Sequence, residues 1–278
     1  MIQKLLSPIF LLARRVVYGM LYLARSVSPE NRVVILCYHS VSNDSWRFGV
    51  GFETLKKQIE YMLESYKPVK LEDIEQFVKG KITFDTPVFA VTFDDGYTDI
   101  YQTKEYFASK NIYPAVFVLS NTSRVQADQL GAKNTFLNTR LIRELASLGW
   151  TIGCHSATHP DFYALHPDEV KNEVTAAKQD LEKQIGMPIN YFAYPKGRYT
   201  ETIVETVDAS GYLAGFSMDD RIIAPGNDNR TIARVGVDRT HTMFEFKATI
   251  SSGAVRMRSI VKDALKWFET RGVHYGKV

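Results

Sequence analysis

Short apolar runs rich in β-branched residues alternate with longer amphipathic stretches of helical period through most of this chain. The predicted strands are Val33–Tyr38, Val88–Phe93, Ala115–Leu119, Thr151–Cys154, Tyr191–Tyr194, Leu213–Ser217 and Arg234–Val237. The predicted helices are Phe52–Tyr66, Asp99–Lys110, Asn138–Leu148, Pro167–Ile185, Glu201–Ser210 and Phe244–Ser251, with a closing helix at Val255–Thr270. Such alternation predicts a parallel α/β fold. Seven strands without a dinucleotide-binding glycine fingerprint favour a barrel over an open, doubly wound sheet.

Composition and length are those of an ordinary globular enzyme. Hydrophobic residues make up 45% and charged residues 23% of the 278 positions, which excludes collagen-like, low-complexity and mostly disordered chains. No internal repeat or linker divides the chain after residue 30, so we expect one domain at residues 31–278 and a separate helical segment at residues 1–30. The two cysteines, Cys37 and Cys154, are too few for a disulfide framework and leave the redox compartment open.

The positive charge of the chain is concentrated at its N-terminus. Residues 1–32 hold five of the 34 Lys and Arg residues but one of the 31 Asp and Glu residues, a net charge of +4. The rest of the chain carries −1, so it gives no electrostatic reason to expect a nucleic-acid partner.

The N-terminal segment has the pattern of an amphipathic helix. Ser7 and Pro8 are typical of a helix start, and the pattern continues to about Val27. At about 100° per residue, its basic side chains share one sector with Tyr18 and Tyr22. That basic sector consists of Lys4, Arg14, Arg15 and Arg25, and the opposite apolar face consists of Ile9, Phe10, Leu12, Val16, Val17, Leu21 and Leu23.

Four interpretations of this segment compete. A membrane-spanning helix would gain about 3–5 kcal/mol from its Leu, Ile, Phe and Val residues but lose about 5–7 kcal/mol at Arg14 and Arg15. The same two arginines follow Leu5–Ala13 too soon for a cleaved signal peptide. An interfacial helix with a basic face fits best, so we expect peripheral association with a membrane surface through residues 5–27. A helix packed on a partner or on the enzyme's own surface is the alternative.

Polar residues follow four predicted strands directly, at the edge of a parallel barrel where active sites lie. They are Asp94-Asp95-Gly96, His155-Ser156-Ala157-Thr158-His159, Pro195-Lys196-Gly197 and His39-Ser40. Adjacent carboxylates repel each other unless a cation or a shared proton relieves them. Two histidines four apart, one carboxylate and an open position would make a catalytic metal site, which suits Zn²⁺ and tolerates Co²⁺, Ni²⁺ or Fe²⁺. The second carboxylate would then serve as a general base, and His39 is interpreted as a support of the rim.

Three of these segments resemble the first three motifs of the polysaccharide deacetylases with a NodB homology domain. They are Val91-Thr92-Phe93-Asp94-Asp95-Gly96-Tyr97, His155-Ser156-Ala157-Thr158-His159-Pro160 and Phe192-Ala193-Tyr194-Pro195-Lys196-Gly197, in the family's order and at its intervals. The segment Cys37-Tyr38-His39-Ser40-Val41 is similar to the subgroup that deacetylates poly-N-acetylglucosamine. The resemblance covers residues 33–251 and implies a distorted (β/α)₇ barrel of NodB type that hydrolyses N-acetyl groups of a glycan with a divalent metal, usually zinc.

The resemblance also implies roles for individual residues. It makes Asp94 the general base and places the metal on Asp95, His155 and His159. It places Tyr194, Pro195 and Lys196 on the substrate side of the site, with the backbone N–H of Lys196 beside the oxyanion.

Two positions depart from the family pattern. Ala193 stands where the third motif usually has an arginine that steadies the base, and Arg234 or Arg239 is a candidate substitute. The late Leu-x-His element that supplies the general acid is not recognisable. His241 is the candidate in its place, and the alternative is a loop residue with metal-bound water as the proton source.

Other functional classes fit the sequence less well. Non-haem iron oxygenases also use two histidines and one carboxylate, but on all-β folds. Serine-hydrolase, phosphate-binding and His-Glu-x-x-His signatures are absent from the sequence. An O-acetyl carbohydrate esterase and an inactive glycan-binding homologue stay open as alternatives. An N-terminal membrane helix would direct a deacetylase towards a lipid-linked saccharide or a polymer emerging from a synthase.

Overall fold

The computed structural model describes residues 15–17, 19–20, 33–125, 130 and 135–260. Parallel strands form the centre of the molecule. They are β1 (Val33–Tyr38), β2 (Lys67–Pro68), β3 (Val88–Phe93), β4 (Ala115–Val118), β5 (Thr151–Cys154), β6 (Tyr191–Ala193), β7 (Ala214–Ser217), β8 (Ile232–Ala233) and β9 (Val235–Gly236).

The strands curl into a nearly closed barrel. Their order is β8-β7-β6-β5-β4-β3-β1-β9, and the short β2 pairs with β3 outside this path. Arg234 alone separates β8, which pairs with β7, from β9, which pairs with β1. Strands β8 and β9 therefore form one kinked segment that joins the two edges of the sheet. When this segment is counted once, the described residues contain seven barrel strands. The predicted distorted (β/α)₇ barrel is confirmed.

Helices surround the barrel on its outer face. They are α1 (Phe52–Ser65), α2 (Leu71–Val78), α3 (Lys104–Ser109), α4 (Thr139–Ser147), α5 (Pro167–Lys171), α6 (Ala177–Ile185), α7 (Glu201–Ala209) and α8 (Met243–Thr249). A helical stretch also covers residues 252–260. Side chains that alternate along the strands divide the core in two, because successive residues of a strand point to opposite faces. Val34, Leu36 and Phe89 pack outwards against the helices, whereas Val33 and Ile35 fill the barrel.

Helix α2 closes the lower end of the barrel. Its Leu71, Ile74 and Val78 pack with the side chains inside the barrel. Glu72 accepts a hydrogen bond from Thr151 at the first residue of β5, which fixes α2 at the amino ends of the strands. The interior is thus plugged at that end, and the carboxyl ends of the strands are left to form the site.

Several element boundaries differ from prediction. Helix α2 and strand β2 were not predicted, although Leu71, Ile74 and Val78 have helical spacing. Residues Thr98–Thr103 form a 3₁₀ helix rather than the start of a longer α-helix, and Asn172–Ala176 form one π-helical turn between α5 and α6. The predicted last strand, Arg234–Val237, is observed as β9, and β8 precedes it as a strand that was not predicted; the two are separate because they pair with different neighbours.

The N-terminal segment is described only at residues 15–17 and 19–20, which are helical. The rest of the predicted helix at residues 1–30, the proposed start at Ser7 and Pro8, and the part of the closing helix beyond residue 260 lie outside the described residues. None of the helices in the described ranges has the length and apolar character needed to span a bilayer. The boundary between segment and domain at residue 30 stays a prediction.

Candidate active site

The ends of three strands bring the side chains of His39, Asp94 and His155 to the upper end of the barrel interior. Tyr38 and Phe93, the last residues of β1 and β3, are paired in register, so His39 and Asp94 follow them side by side. His155 directly follows β5, and its N–H donates to the carbonyl of Val118. Because residues two apart share a face, Thr92 and Asp94 both point into the barrel.

Asp95, His155 and His159 form a buried cluster. Oδ1 of Asp95 lies 3.5 Å from Nε2 of His155 and 3.6 Å from Nε2 of His159. All three side chains are at least nine-tenths buried. Neither carboxylate oxygen of Asp95 has a hydrogen bond of good geometry. A buried carboxylate whose oxygens make no hydrogen bond of good geometry is costly, so this cluster favours a cation or a proton.

The spacing of the cluster fits one metal ion. Two ligands about 2.1 Å from a tetrahedral cation lie about 3.4 Å apart, and the observed separations are close to that value. Burial lowers the pKa of His155 and lowers that of His159 to about 2, so both imidazoles are neutral and can ligate. Burial, and then the charge of Asp94, raises the pKa of Asp95, which a bound cation would reverse. The donor set of two imidazoles and one carboxylate is that of catalytic zinc sites.

The backbone around the ligands is held in unusual conformations. Nδ1 of His155 lies 2.8 Å from the carbonyl oxygen of Ala193, a contact that turns Nε2 towards Asp95. Asp95, Ser156 and His159 have left-handed φ angles of 68°, 73° and 59°. Such angles cost non-glycine residues free energy and persist where the surroundings enforce them, often at functional sites. The site geometry is therefore built into the backbone.

The loop between His155 and His159 is hydrogen-bonded to the π-helical turn Asn172–Ala176. The carboxylate of Glu173 accepts from the backbone N–H groups of Ala157 and Thr158, both at 2.9 Å, and the N–H of His159 donates to Ser156 Oγ at 3.0 Å. These bonds fix His159 in place relative to His155.

Arg234 supplies the contact that the third motif lacks. Its side chain is fully buried, and its guanidinium donates to Oδ1 of Asp94 at 2.6 Å and to Oδ2 at 2.7 Å. Burial tends to raise the pKa of Asp94, but the charge and hydrogen bonds of Arg234, together with smaller contributions from His155 and His39, hold this pKa well below its ordinary value. Asp94 is therefore ionised and oriented, and Arg239, which is exposed, takes no part in this pair.

A second group of possible ligands lies beside the first. Atoms of Cys37, His39 and Asp94 also lie within 4.8 Å of one another. Both oxygens of Asp94 already accept from Arg234, whose positive charge disfavours a cation at this point. The structure thus favours the cluster of Asp95, His155 and His159 for a metal.

The third predicted motif lies at the same rim. Lys196 is exposed and has a left-handed φ of 58°, and Pro195 is buried beside it. Tyr194 is buried, and its hydroxyl donates to the carbonyl of Arg230 at 2.8 Å, so its ring packs within the fold. The Lys196 side chain is close enough for its charge to lower the pKa of His159.

The two remaining histidines occupy different places. His39 is close enough to the charge of Asp94 for that charge to raise its pKa, but burial dominates and lowers this pKa to about 4. His241 lies in the loop after β9, where its Nδ1 accepts from the backbone N–H of Asp238 at 3.1 Å. His39 was predicted only to support the rim. Because it directly follows strand β1, the sequence also carried the signal that it faces the site.

Comparison with known proteins identifies this combination of fold and motifs. Residues 81–215 match the family model described as polysaccharide deacetylase. The chain is 23% identical over 228 residues to YxkH of Bacillus subtilis, covering 80% of this chain and 77% of that protein. It is 25% identical over 163 residues to the peptidoglycan-N-acetylmuramic acid deacetylase PdaA of the same organism, covering 58% and 54%.

A solved structure shows the same fold. IcaB from Ammonifex degensii superposes with a TM-score of 0.70 at 22% identity, covering 82% of this chain and 98% of that one. The resemblance inferred from the motifs is thus confirmed: residues 81–215 of this chain form a polysaccharide deacetylase domain, and deacetylases of this family are hydrolases.

Proposed function

We propose that this protein is a metal-dependent deacetylase that removes N-acetyl groups from the amino sugars of a glycan. One observation carries the proposal: the buried Asp95 carboxylate lies 3.5 and 3.6 Å from two neutral imidazoles, directly beside an ionised Asp94. Zinc suits these ligands best, with cobalt or nickel as alternatives. The name of PdaA, an N-acetylmuramic acid deacetylase of peptidoglycan, supports an N-acetylated amino sugar as the substrate class.

The ligands Asp95, His155 and His159 would hold the cation at the mouth of the barrel. When bound there, a divalent ion polarises the acetyl carbonyl and lowers the pKa of the attacking water. Asp94 would accept the proton of that water, since its carboxylate is ionised and 3.9 Å from His155 Nε2. Arg234 holds the carboxylate in one orientation through two hydrogen bonds but also lowers its proton affinity.

The carbonyl oxygen becomes negatively charged as water adds to it. The backbone N–H of Lys196, at the rim beside His159, would donate a hydrogen bond to this oxygen. The left-handed conformation of Lys196 sets the direction of that N–H.

The leaving amine must receive a proton. We favour His39 for this step over the sequence-predicted His241, because a ring nitrogen of His39 lies within 4.8 Å of an Asp94 oxygen. A neutral imidazole can accept a proton and pass it on. The assignment of His241 stays a prediction that mutation can separate from that of His39.

The test is acetate release from N-acetylglucosamine oligomers. We expect the zinc-loaded protein to release acetate, chelation to stop it, and Asp94→Asn to reduce kcat by at least about 100-fold while zinc stays bound. O-acetylated xylan is the comparison substrate, and faster acetate release from it would identify an O-acetyl esterase. Absence of release from either substrate by the zinc-loaded protein would contradict the proposal and favour a glycan-binding homologue.

A further inference from the structure

The described part of the N-terminal segment lies against helix α8. Nε of Arg15 is 3.9 Å from Oε1 of the buried Glu245. A β-carbon built on Gly19 would lie 3.6 Å from two ring atoms of Phe244. Since residues 15 and 19 lie one helical turn apart, one side of the segment faces the domain.

The opposite side of the segment is apolar and exposed. Val16, Val17 and Met20 are 50%, 39% and 62% exposed, and Phe244 is 42% exposed. At about 100° per residue Met20 and Val17 lie about 100° and 160° from Gly19, and Val16 lies between them and Gly19, on the side next to Phe244. Val16, Val17, Met20 and Phe244 are called the apolar patch below. A segment that packed on its own domain to bury apolar surface would have turned these residues inwards.

The apolar patch lies near the catalytic end of the barrel. Strand β9 ends at Gly236, beyond which the chain passes Asp238 and enters α8 at Met243. In a parallel barrel such a connection runs at the carboxyl ends of the strands, where Asp94 also lies. Phe244, in the first turn of α8, is therefore at the level of the active-site rim.

Charge identifies what the apolar patch would contact. Residues 1–32 carry a net charge of +4, whereas the rest of the chain carries −1. A helix with apolar side chains on one side and Lys and Arg on the other binds at the interface of anionic bilayers. Each basic residue near such a surface contributes about 1 kcal/mol of attraction.

We propose that the apolar patch docks on an anionic lipid bilayer, with the side chains of Val16, Val17, Met20 and Phe244 inserted side by side and the mouth of the barrel facing along the membrane. The ion pair of Arg15 with Glu245 and the position of Gly19 beside Phe244 set the direction of the domain relative to the helix. If the domain docks in this way, its substrate is a glycan that is attached to or emerges from a membrane. This consequence rests on the proposed function.

The first test is binding to vesicles of phosphatidylcholine and phosphatidylglycerol in equal parts, with pure phosphatidylcholine for comparison. We expect the full chain to bind the anionic vesicles and the variant Val16→Asp/Met20→Asp to bind about 10- to 100-fold more weakly, as expected for two half-exposed apolar side chains. Leu148→Asp is the matched control, because Leu148 is 43% exposed at the opposite end of the barrel. Equal binding of the two variants, or no binding by the wild type, would overturn the proposal.

The second test reports orientation. Cys37 and Cys154 are both buried, so an environment-sensitive dye will label a single introduced cysteine selectively. We expect anionic vesicles to shift the emission of dye at Met20→Cys and Phe244→Cys to shorter wavelength, and to leave dye at Leu148→Cys unchanged. A shift at positions 20 and 244 on concentrating the protein without lipid would instead indicate a second copy of the chain as the partner.

Activity on a soluble oligomer separates this inference from the proposed function. Val16→Asp/Met20→Asp should release acetate from the oligomer at the wild-type rate, which also shows that it is folded. Vesicle binding without acetate release in the wild type would overturn the proposed function and leave docking in place. Acetate release without vesicle binding would do the reverse.

Discussion

The Arg234→Met variant tests the most unusual feature of the site, a fully buried arginine paired with Asp94, the proposed general base. The substitution removes two charge-assisted hydrogen bonds of 2.6 and 2.7 Å and leaves Asp94 buried without a counter-charge. Breaking one partner of a buried pair costs about 3–5 kcal/mol. At about 2–4 °C per kcal/mol, Tm should fall by about 6–20 °C. Urea unfolding at equal metal loading measures the free-energy difference directly.

Two further variants make the Arg234 result interpretable. Arg239→Met removes an exposed arginine from the same region and should change the free energy of unfolding by no more than about 0.5 kcal/mol. Adding Asp94→Asn to Arg234→Met should recover at least about 1 kcal/mol, because the uncompensated charge is then gone. Equal losses from Arg234→Met and Arg239→Met, or strict additivity in the double variant, would refute the reasoning.

The pH dependence of the same pair has a defined sign. Burial raises the pKa of Asp94, but Arg234 more than offsets this, so the folded-state pKa lies below the unfolded value of about 3.9. The pair therefore stabilises the wild type above that pH, and its contribution is lost as pH falls below it. In Arg234→Met the largest lowering influence on the pKa of Asp94 is gone while the effect of burial stays, so the carboxyl takes up a proton more readily. The stability gap between the two proteins should be widest near pH 7–8 and narrow towards pH 4.

Four other substitutions test individual residues at the rim. His39→Ala should lower kcat on the oligomer at least about tenfold, whereas His241→Ala should stay within about threefold, and the reverse order would restore the sequence prediction. Lys196→Gly keeps the backbone N–H and relieves a left-handed φ of 58°, so kcat should be retained; a large loss would assign the role to the side chain. Gly96→Ala places a β-carbon 2.9 Å from Val118 Cγ1 at a φ of 70° and should lower the free energy of unfolding by about 1–3 kcal/mol in urea titrations.

The barrel could be predicted because its signals are local. Each of the six longer strands is a short apolar run that the structure reproduces to within one residue at either end, as at Val33–Tyr38 and Val88–Phe93. The split at Arg234 could not be predicted, because it depends on strand pairing with β1 and β7, which are distant in sequence. Helix α2 was missed for a different reason: its eight residues carry a helical pattern too short to compete with the surrounding loop-like sequence.

The candidate site was predictable where spacing implies chemistry. Asp94, Asp95, His155 and His159 stand in motifs, and the rule that strands of a parallel barrel end at one rim placed them together. The sequence left two candidates, Arg234 and Arg239, for the arginine that pairs with Asp94. The structure decides between them, because the Arg234 side chain points into the barrel and Arg239 is exposed. Tyr194 shows the opposite limit, because its place in a motif gave no sign that its hydroxyl bonds the Arg230 carbonyl.

The metal content of the purified protein tests the central claim most directly. The wild type, incubated with zinc and desalted, should hold about one ion per chain, and His159→Ala should hold much less at the same free zinc. Arg239→Met, a surface change at the same rim, should match the wild type. One zinc per chain that depends on His159 is the result we expect. A wild type that binds no zinc, or a His159→Ala variant that binds it equally well, would contradict the assignment of Asp95, His155 and His159 as the metal site.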